Sequence, residues 1–474
     1  MRTLSECTRK SGTKNQPKMM NEIIMRPYTN FYKMLPITGL SALLAGCASS
    51  DPYSAMPAPR SLGAEYAAVE IAREPARRVD VPTELRMADA LVLALRGNPE
   101  LAAFSYEVRA AEARVLQAGL LPNPEIEFEL EEYDRAGEGF DSAETAVVLG
   151  QVFELGGKRR WRTRVAEVEG ELAGWDYESK RLDVFTETAQ RFTEVIAAQE
   201  WLEISLSAVD LAEKTSRAVT ERVKAGKEPP LQASKSEAEL EMARLDAQEA
   251  ENALEVSRRK LAVMWGAEEA EYESVQGNLD HVIEAVPSLN ALRPHLALNP
   301  DLARWEAELR LRQATLSSEK AARIPDLEGS VGYLQYEEDG TDALAFSVGL
   351  PLPLFDRNQG NIVAARHDLS KAEAERSAIE LELAAELAAA HADLKVSHQR
   401  VATLRDKVVP AMEQAFQAAH EGYKQGKFGF LDMLDAQRGL SEAKGAFVNA
   451  LSSYQTALIE IQRLTGTRIE ALIN

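Results

Sequence analysis

The sequence predicts a mainly α protein with a small β part, built from two duplicated long α-helical hairpins, each preceded by a short β-hairpin. Three observations predict it. Landmarks recur about 200 residues apart: Asn98-Pro99-Glu100 with Asn299-Pro300-Asp301, Leu121-Pro122 with Ile324-Pro325, Ala225-Gly226-Lys227 with Gln425-Gly426-Lys427, and Trp265-Gly266 with Thr465-Gly466. A period that long marks an internal duplication, not a short solenoid repeat. Each half also contains two segments of alternating polarity, and each contains stretches of roughly sixty residues with apolar groups three and four apart.

The division that follows is residues 1–46 as a removed leader, 47–83 as an extended arm, 84–285 as the first repeat and 286–474 as the second. Each repeat should open with a helix of roughly 33 residues, Leu85–Leu116 and Leu289–Ala321. Next comes Glu125-Ile126-Glu127-Phe128-Glu129-Leu130-Glu131, which alternates with the strict period of a strand. Ile126, Phe128 and Leu130 take one face, and Glu125, Glu127, Glu129 and Glu131 take the other, as a pore lining or a solvated face. Ser142–Leu155 is its partner, with Thr145, Val147, Leu149 and Phe153 on one face, across the turn Asp134–Asp141. In the second half Asp326–Tyr336 pairs across Glu337–Thr341 with a strand on which Leu344, Phe346, Val348, Leu350 and Leu352 share a face.

Segments of roughly ten residues are long enough for tilted transmembrane strands. Four strands cannot close a barrel, and an open edge is not viable in lipid. If the strands span a membrane, several chains share one barrel, and three chains give twelve strands. A soluble amphipathic sheet is the other reading. From Arg164 to Lys224 the residues Val165, Val168, Leu172, Trp175, Leu182, Phe185, Ala189, Phe192 and Ile196 form a coiled-coil seam. The equivalent Asn361–Lys424 contains Pro410, which should kink it. Turns at Gly226 and Gly426 lead into return helices Leu231–Met264 and Leu431–Leu464.

Composition is consistent with this. Only 6% of the 474 residues are aromatic, and the chain carries a net charge of −21. That charge argues against nucleic acid as a partner. The apolar run Met34–Gly46 follows Arg26 and Lys33 and is too short to span a bilayer, as in a secretory signal. Met20 or Met25 is the expected true start. The leader holds seven basic and two acidic residues, so its removal would take the chain to −26. Leu44-Ala45-Gly46-Cys47 resembles the bacterial lipobox, which implies diacylglycerol on the Cys47 thiol. By the same resemblance Ala48 implies sorting to the outer membrane. An ordinary signal peptide with a chance cysteine is the alternative.

The second turn, Gly422-Tyr423-Lys424-Gln425-Gly426-Lys427-Phe428-Gly429-Phe430-Leu431-Asp432-Met433-Leu434-Asp435, closely resembles the periplasmic tip of the TolC-like outer membrane factors. Phe153–Arg159 and Pro353–Gly360 resemble that family's strand-to-helix junctions. The resemblance covers residues 84–474, and is closest to the heavy-metal cation branch of cobalt–zinc–cadmium type. It implies a homotrimer with a twelve-stranded barrel and a twelve-helix periplasmic tube. It also implies a passive conduit, neither an enzyme nor a cofactor protein, joined by a periplasmic adaptor to an inner-membrane transporter that supplies the energy. Drug efflux or type I secretion by the same fold, and a periplasmic coiled-coil scaffold, remain as rivals.

At that tip Asp432 and Asp435 share one face of a helix's first turn. The resemblance places them as carboxylate rings at a gate, with Tyr423 as a latch. Phe428 replaces a basic latch residue of some members. Leu231, Leu431 and Ala436, near Gly226 and Gly426, serve either adaptor contact or hairpin packing. The six histidines form no close ligand pair, with His391 and His398 at solvated or seam positions, so no metal site is expected. Phosphate loops and nucleophile elbows are absent.

Overall fold

A computed structural model describes residues 56–57, 61–62, 80–131, 144–336 and 340–468. The chain divides into Met1–Pro52 and Tyr53–Asn474. The first unit, with Cys47, lies outside the described residues, as do the turn Asp134–Asp141 and Asp339.

The first repeat contains β1 (Glu84–Arg86), α1 (Met87–Gly97), α2 (Pro99–Ala118), β2 (Glu125–Glu131), β3 (Glu144–Phe153), α3 (Lys158–Lys224) and α4 (Pro230–Val263), then β4 (Ser274–Gln276). The second contains α5 (Leu289–Leu292), a 3₁₀ turn (Arg293–Leu298), α6 (Pro300–Ala322), β5 (Leu327–Tyr336), β6 (Thr341–Gly349), α7 (Gln359–Thr403), α8 (Val409–Lys424) and α9 (Phe430–Thr465). Thus α3, 67 residues long, extends for roughly 100 Å at 1.5 Å per residue.

The expected 33-residue opening helices are each broken at the Asn-Pro pair. Proline pushes the residue before it out of the helical region, and Asn98 and Asn299 are extended at ψ 120° and 127°. Each asparagine then does two things at once. Its Oδ1 caps the next helix, accepting from Leu101 N (3.0 Å) or Asp301 N (2.8 Å). Its Nδ2 donates to the end of the return helix, at Met264 O (3.0 Å) or Leu464 O (3.2 Å). The recurring Gly266 and Gly466 sit at the same joints with φ of +78° and +64°. The repeat landmarks are therefore the hinges where each opening segment is pinned to its own return helix.

The main core forms where those opening segments and the segment after α4 pack on the long helices. Leu85, Leu93, Phe192, Val195, Tyr272, Leu279, Leu387, Leu394, Tyr454 and Ile461 are buried together there. A two-stranded parallel pair, β1 with β4, contributes to this core, an element the sequence reading lacks. The arm residue Leu62 is buried against Leu91, Leu182 and Phe185. Arg181, itself paired with Glu178 in the interior, donates to Leu62 O at 3.1 Å.

The helices of one chain lie in the order α4–α3–α9–α7/α8, so α4 and α7/α8 form its open flanks. The stretch containing Pro410 stays helical. Proline offers no N–H to the carbonyl of Asp406, and the chain takes one π-helical turn, Leu404–Val408, before α8 resumes. His391 and His398 are not solvated seam residues. Their Nε2 atoms hold the backbone oxygens of Pro287 and Ile283, each at 2.9 Å, fastening the segment between the repeats to α7.

Candidate gate and membrane sheet

The four long strands form one antiparallel sheet in the order β2-β3-β5-β6. The central pair, β3 with β5, joins the two repeats over ten residue pairs, from Glu144 opposite Tyr336 to Phe153 opposite Leu327. Directly opposed residues share a face, so the register sorts the sheet. One face carries Ile126, Phe128 and Leu130, then Val147, Leu149 and Phe153, then Val331 and Tyr333, then Leu344, Phe346 and Val348. The other carries Glu125, Glu127, Glu129 and Glu131 beside Gly150, Val148, Ala146 and Glu144, continuing through Gly332, Ala345 and Ser347. All seven residues of β2 are exposed in the single chain, and Phe346 is 77% exposed. A band of large apolar groups thus faces solvent, backed by small and acidic residues. Glu144 and Glu328 join the acidic face, and the sequence reading missed both.

Strand β6 stops at Gly349, so Leu350 and Leu352 do not continue its apolar row. Pro351 and Pro353 deny ladder donors there. Helix α3 begins at Lys158, six residues earlier than expected, after Gly156 and Gly157 turn the chain with φ of +70° and +73°.

At the far end of the helices both tips close in the same way. Gly226 and Gly426 are left-handed (φ +69° and +72°). Lys227 N donates to Arg222 O and Lys427 N to Gly422 O, both at 2.8 Å, while Gly226 N reaches Val223 O and Gly426 N reaches Tyr423 O. These are Schellman closures, and they satisfy the last helical carbonyls.

The tips then diverge. Tyr423, 5% exposed, packs with Val219, Phe430, Met433 and Leu434, its ring edge-on to Phe430 at 6.3 Å. Arg222 of the first tip lies over that ring, 4.9 Å from its centre, and is held by Glu228 at 3.3 Å. The Tyr423 hydroxyl is buried and makes no hydrogen bond. Burial, aided by Glu228 and opposed by Arg222, holds the phenol above its ordinary pKa, so it stays neutral. Phe428 lies against Gly422, where a Cβ would meet its ring.

Asp432 and Asp435 are both exposed on α9. They are not equivalent. Asp432 Oδ2 accepts from Gly429 N at 2.9 Å, capping the helix. Asp435 stands near Arg438, whose Nε donates to Glu239 of α4 at 2.9 Å. Leu231 and Leu431 are exposed and Ala436 is half-buried. Arg222 and the Arg438–Glu239 bridge escaped the sequence reading, since both pairs join residues about 200 apart in the chain. Among the described residues no three His, Cys, Asp or Glu side chains gather as a metal site, and no helix is long and apolar enough to cross a membrane.

A membrane-sized amphipathic sheet on a duplicated bundle of long hairpins defines an export-duct fold. The chain belongs to the outer membrane efflux protein family, which matches residues 90–267 and 292–467. It is 34% identical to the cobalt-zinc-cadmium resistance protein CzcC of Cupriavidus metallidurans, over 81% of this chain and 90% of that protein. It is 27% identical to the nickel and cobalt resistance protein CnrC of the same species, over 60% of this chain and 67% of that one. Its fold matches the open-state MtrE outer membrane channel of Neisseria gonorrhoeae with a TM-score of 0.68 at 21% identity, covering 84% of this chain and 96% of that chain.

Proposed function

We propose that three copies of this chain form the outer-membrane exit duct of a tripartite pump that exports heavy-metal cations. The observation that carries this is the sheet. Its apolar face is uncovered, and its outer strands β2 and β6 each keep one unpaired edge. Strand directions alternate across the sheet, so β6 of one copy can meet β2 of the next and continue the antiparallel ladder. Three copies close twelve strands and leave no edge in lipid.

The acidic face then lines the lumen, where Glu125, Glu127, Glu129 and Glu131 from three chains favour cations. The helices continue as a periplasmic tube, with α4 of one copy seated against α7/α8 of its neighbour. Asp432 and Asp435 form rings at the tip, and Tyr423 secures it. Leu231, Leu431 and Ala436 offer the apolar contact for a periplasmic adaptor, which links the duct to an energised inner-membrane transporter. Acylated Cys47 fixes the arm in the outer membrane. The identity to CzcC supports a metal cargo, and the acidic lumen agrees with it.

Cysteines placed one on β2 and one on β6 test the assembly. Within a chain these strands are three spacings, about 14 Å, apart, beyond disulfide reach. Crosslinking to a covalent trimer is expected, and only intact monomer would overturn the shared barrel. For cargo, loss of the gene should sensitise cells to cobalt, zinc or cadmium; sensitivity to hydrophobic drugs alone would reassign it.

A further inference from the structure

Strands β3 and β6 run in the same direction, so both strand-to-helix junctions lie at one end of the sheet. Each junction carries a feature that conduction does not use. The first is Lys158–Arg164, with five basic groups in seven residues. Three have acid partners: Lys158 pairs with Asp326 at 2.8 Å, Arg162 with Glu154, and Arg164 with Glu167 at 2.9 Å. Arg159 and Arg160 are exposed, and among the described residues neither has an acid partner. The Arg160 guanidinium lies 5.5 Å from the centre of the Trp161 ring. Together with Thr163, Arg164 and Glu167 these residues line an open groove of about 750 Å³. Glu167 is neutralised there by Arg164.

The second feature is the loop after β6. Leu350, Leu352, Leu354 and Phe355 are all exposed, and Phe355 is 90% exposed. The apolar strand face also ends in this layer, at Phe153.

The geometry points to this layer as a seat for an anionic phospholipid. Arg159 and Arg160 take the phosphate, which a guanidinium can bind through two parallel hydrogen bonds. Trp161 lies at the level of the glycerol region, where aromatic rings favour the interface. The acyl chains follow the apolar face from Phe153 along β3, and the Leu352–Phe355 tongue enters the same leaflet. This rests on the reading that the sheet spans the membrane. Two basic groups near an anionic surface should favour phosphatidylglycerol over phosphatidylcholine on the order of tenfold or more.

The test uses the full-length trimer in detergent, supplied with phosphatidylglycerol, phosphatidylethanolamine or phosphatidylcholine, with bound lipid counted by native mass spectrometry. Phosphatidylglycerol should be retained preferentially by the parent. The double variant Arg159→Gln with Arg160→Gln should lose that preference while remaining trimeric and still floating with phosphatidylcholine vesicles. Millimolar inorganic phosphate should not displace the lipid. Undiminished retention by the double variant would overturn the proposal. So would displacement by phosphate, which would mark a free-anion site, or dissociation of the variant trimer, which would assign the arginines to a neighbouring chain. A parent that floats with no vesicle would instead sink the membrane reading itself.

Discussion

Replacing Tyr423 separates two ways of holding the tip closed. A hydroxyl latch and a ring latch use the same residue and predict opposite results for Tyr423→Phe. In this structure the hydroxyl is buried without a partner, a situation that costs about 1–3 kcal/mol. Removing it should leave the tip as tight as before or tighter by up to about 1 kcal/mol. On the proposed latch the ring is the holding group, because it fills the core with Phe430 and Met433 and lies under Arg222. Tyr423→Ala should therefore cost about 3–5 kcal/mol through the cavity it leaves. Arg222→Gln should cost about 0.5–1 kcal/mol, the worth of a partly exposed cation–π contact, or a two- to fivefold change in opening equilibrium per tip. The assay is the open fraction of single trimers in planar bilayers. Tyr423→Phe should match the parent, with Arg222→Gln slightly and Tyr423→Ala strongly more open. If Tyr423→Phe opens as far as Tyr423→Ala, the hydroxyl is the latch and the reasoning fails.

Three further outcomes follow from the same geometry. A Cβ on Gly156 would stand 2.9 Å from the Ile324 side chain at φ +70°, whereas Gly157 has open space at φ +73°. Gly156→Ala should thus destabilise the trimer by about 2–4 kcal/mol and Gly157→Ala by only about 1–2, read from their thermal midpoints. Burial, outweighing Arg463, raises the Glu460 carboxyl above its ordinary 4.5, helped by Glu386 and Asp183. A raised folded pKa means its stability contribution is complete below 4.5 and is lost as pH rises through the folded value. Glu460→Gln should therefore raise the melting midpoint at neutral pH and flatten its fall over that window; an unchanged pH profile would contradict the burial argument. At the proposed gate, Asp435→Asn should weaken block by multivalent cations without altering stability. Asp432→Ala should weaken block and also loosen α9, at a cost of roughly 1 kcal/mol for the lost acceptor at Gly429 N, visible as faster amide exchange in its first turn.

The periodic parts of this fold could be read from one chain because burial imposes a period. The alternation at Glu125–Glu131 marks β2, and its register with β3 places Phe128 opposite Val147 on the apolar face. The seam from Val165 to Ile196 marks α3 for the same reason. What escaped is aperiodic or distant. Asn98-Pro99 served as a repeat landmark, but its function as a double hinge depends on Met264 O, 166 residues away. Strand β1 is three residues long and pairs in parallel with Ser274–Gln276, too short for any period to show. His391 and His398 point at backbone carbonyls, which leave no sequence mark. At the tip the turn glycines were legible because they must be left-handed. The identity of the group stacked on Tyr423 was not, since Arg222 belongs to the other repeat and its duplicate position holds Gly422.

The duplication makes two tips of the same construction, and their differences divide the mechanical work. Helix α3 is unbroken for 67 residues, so the first hairpin is a stiff strut. Its counterpart is interrupted at Leu404–Val408, where a π turn weakens the ladder some 18 residues before Gly426, about 27 Å along the helix. The compliant hairpin is also the one whose return helix carries Asp432 and Asp435. Besides Val219, which packs with Tyr423 and Phe430, two contacts tie it to the strut near the tip, Arg222 on Tyr423 and Arg438 on Glu239. The second is an exposed ion pair, which salt screens and which contributes little. The first is half-buried and sits on a packed core. Displacing the acid-bearing tip therefore requires separating Arg222 and Val219 from Tyr423 and bending at the π turn, while α3 and α4 keep their place. If the tip is the gate proposed above, it moves one hairpin per chain and leaves the other as its frame.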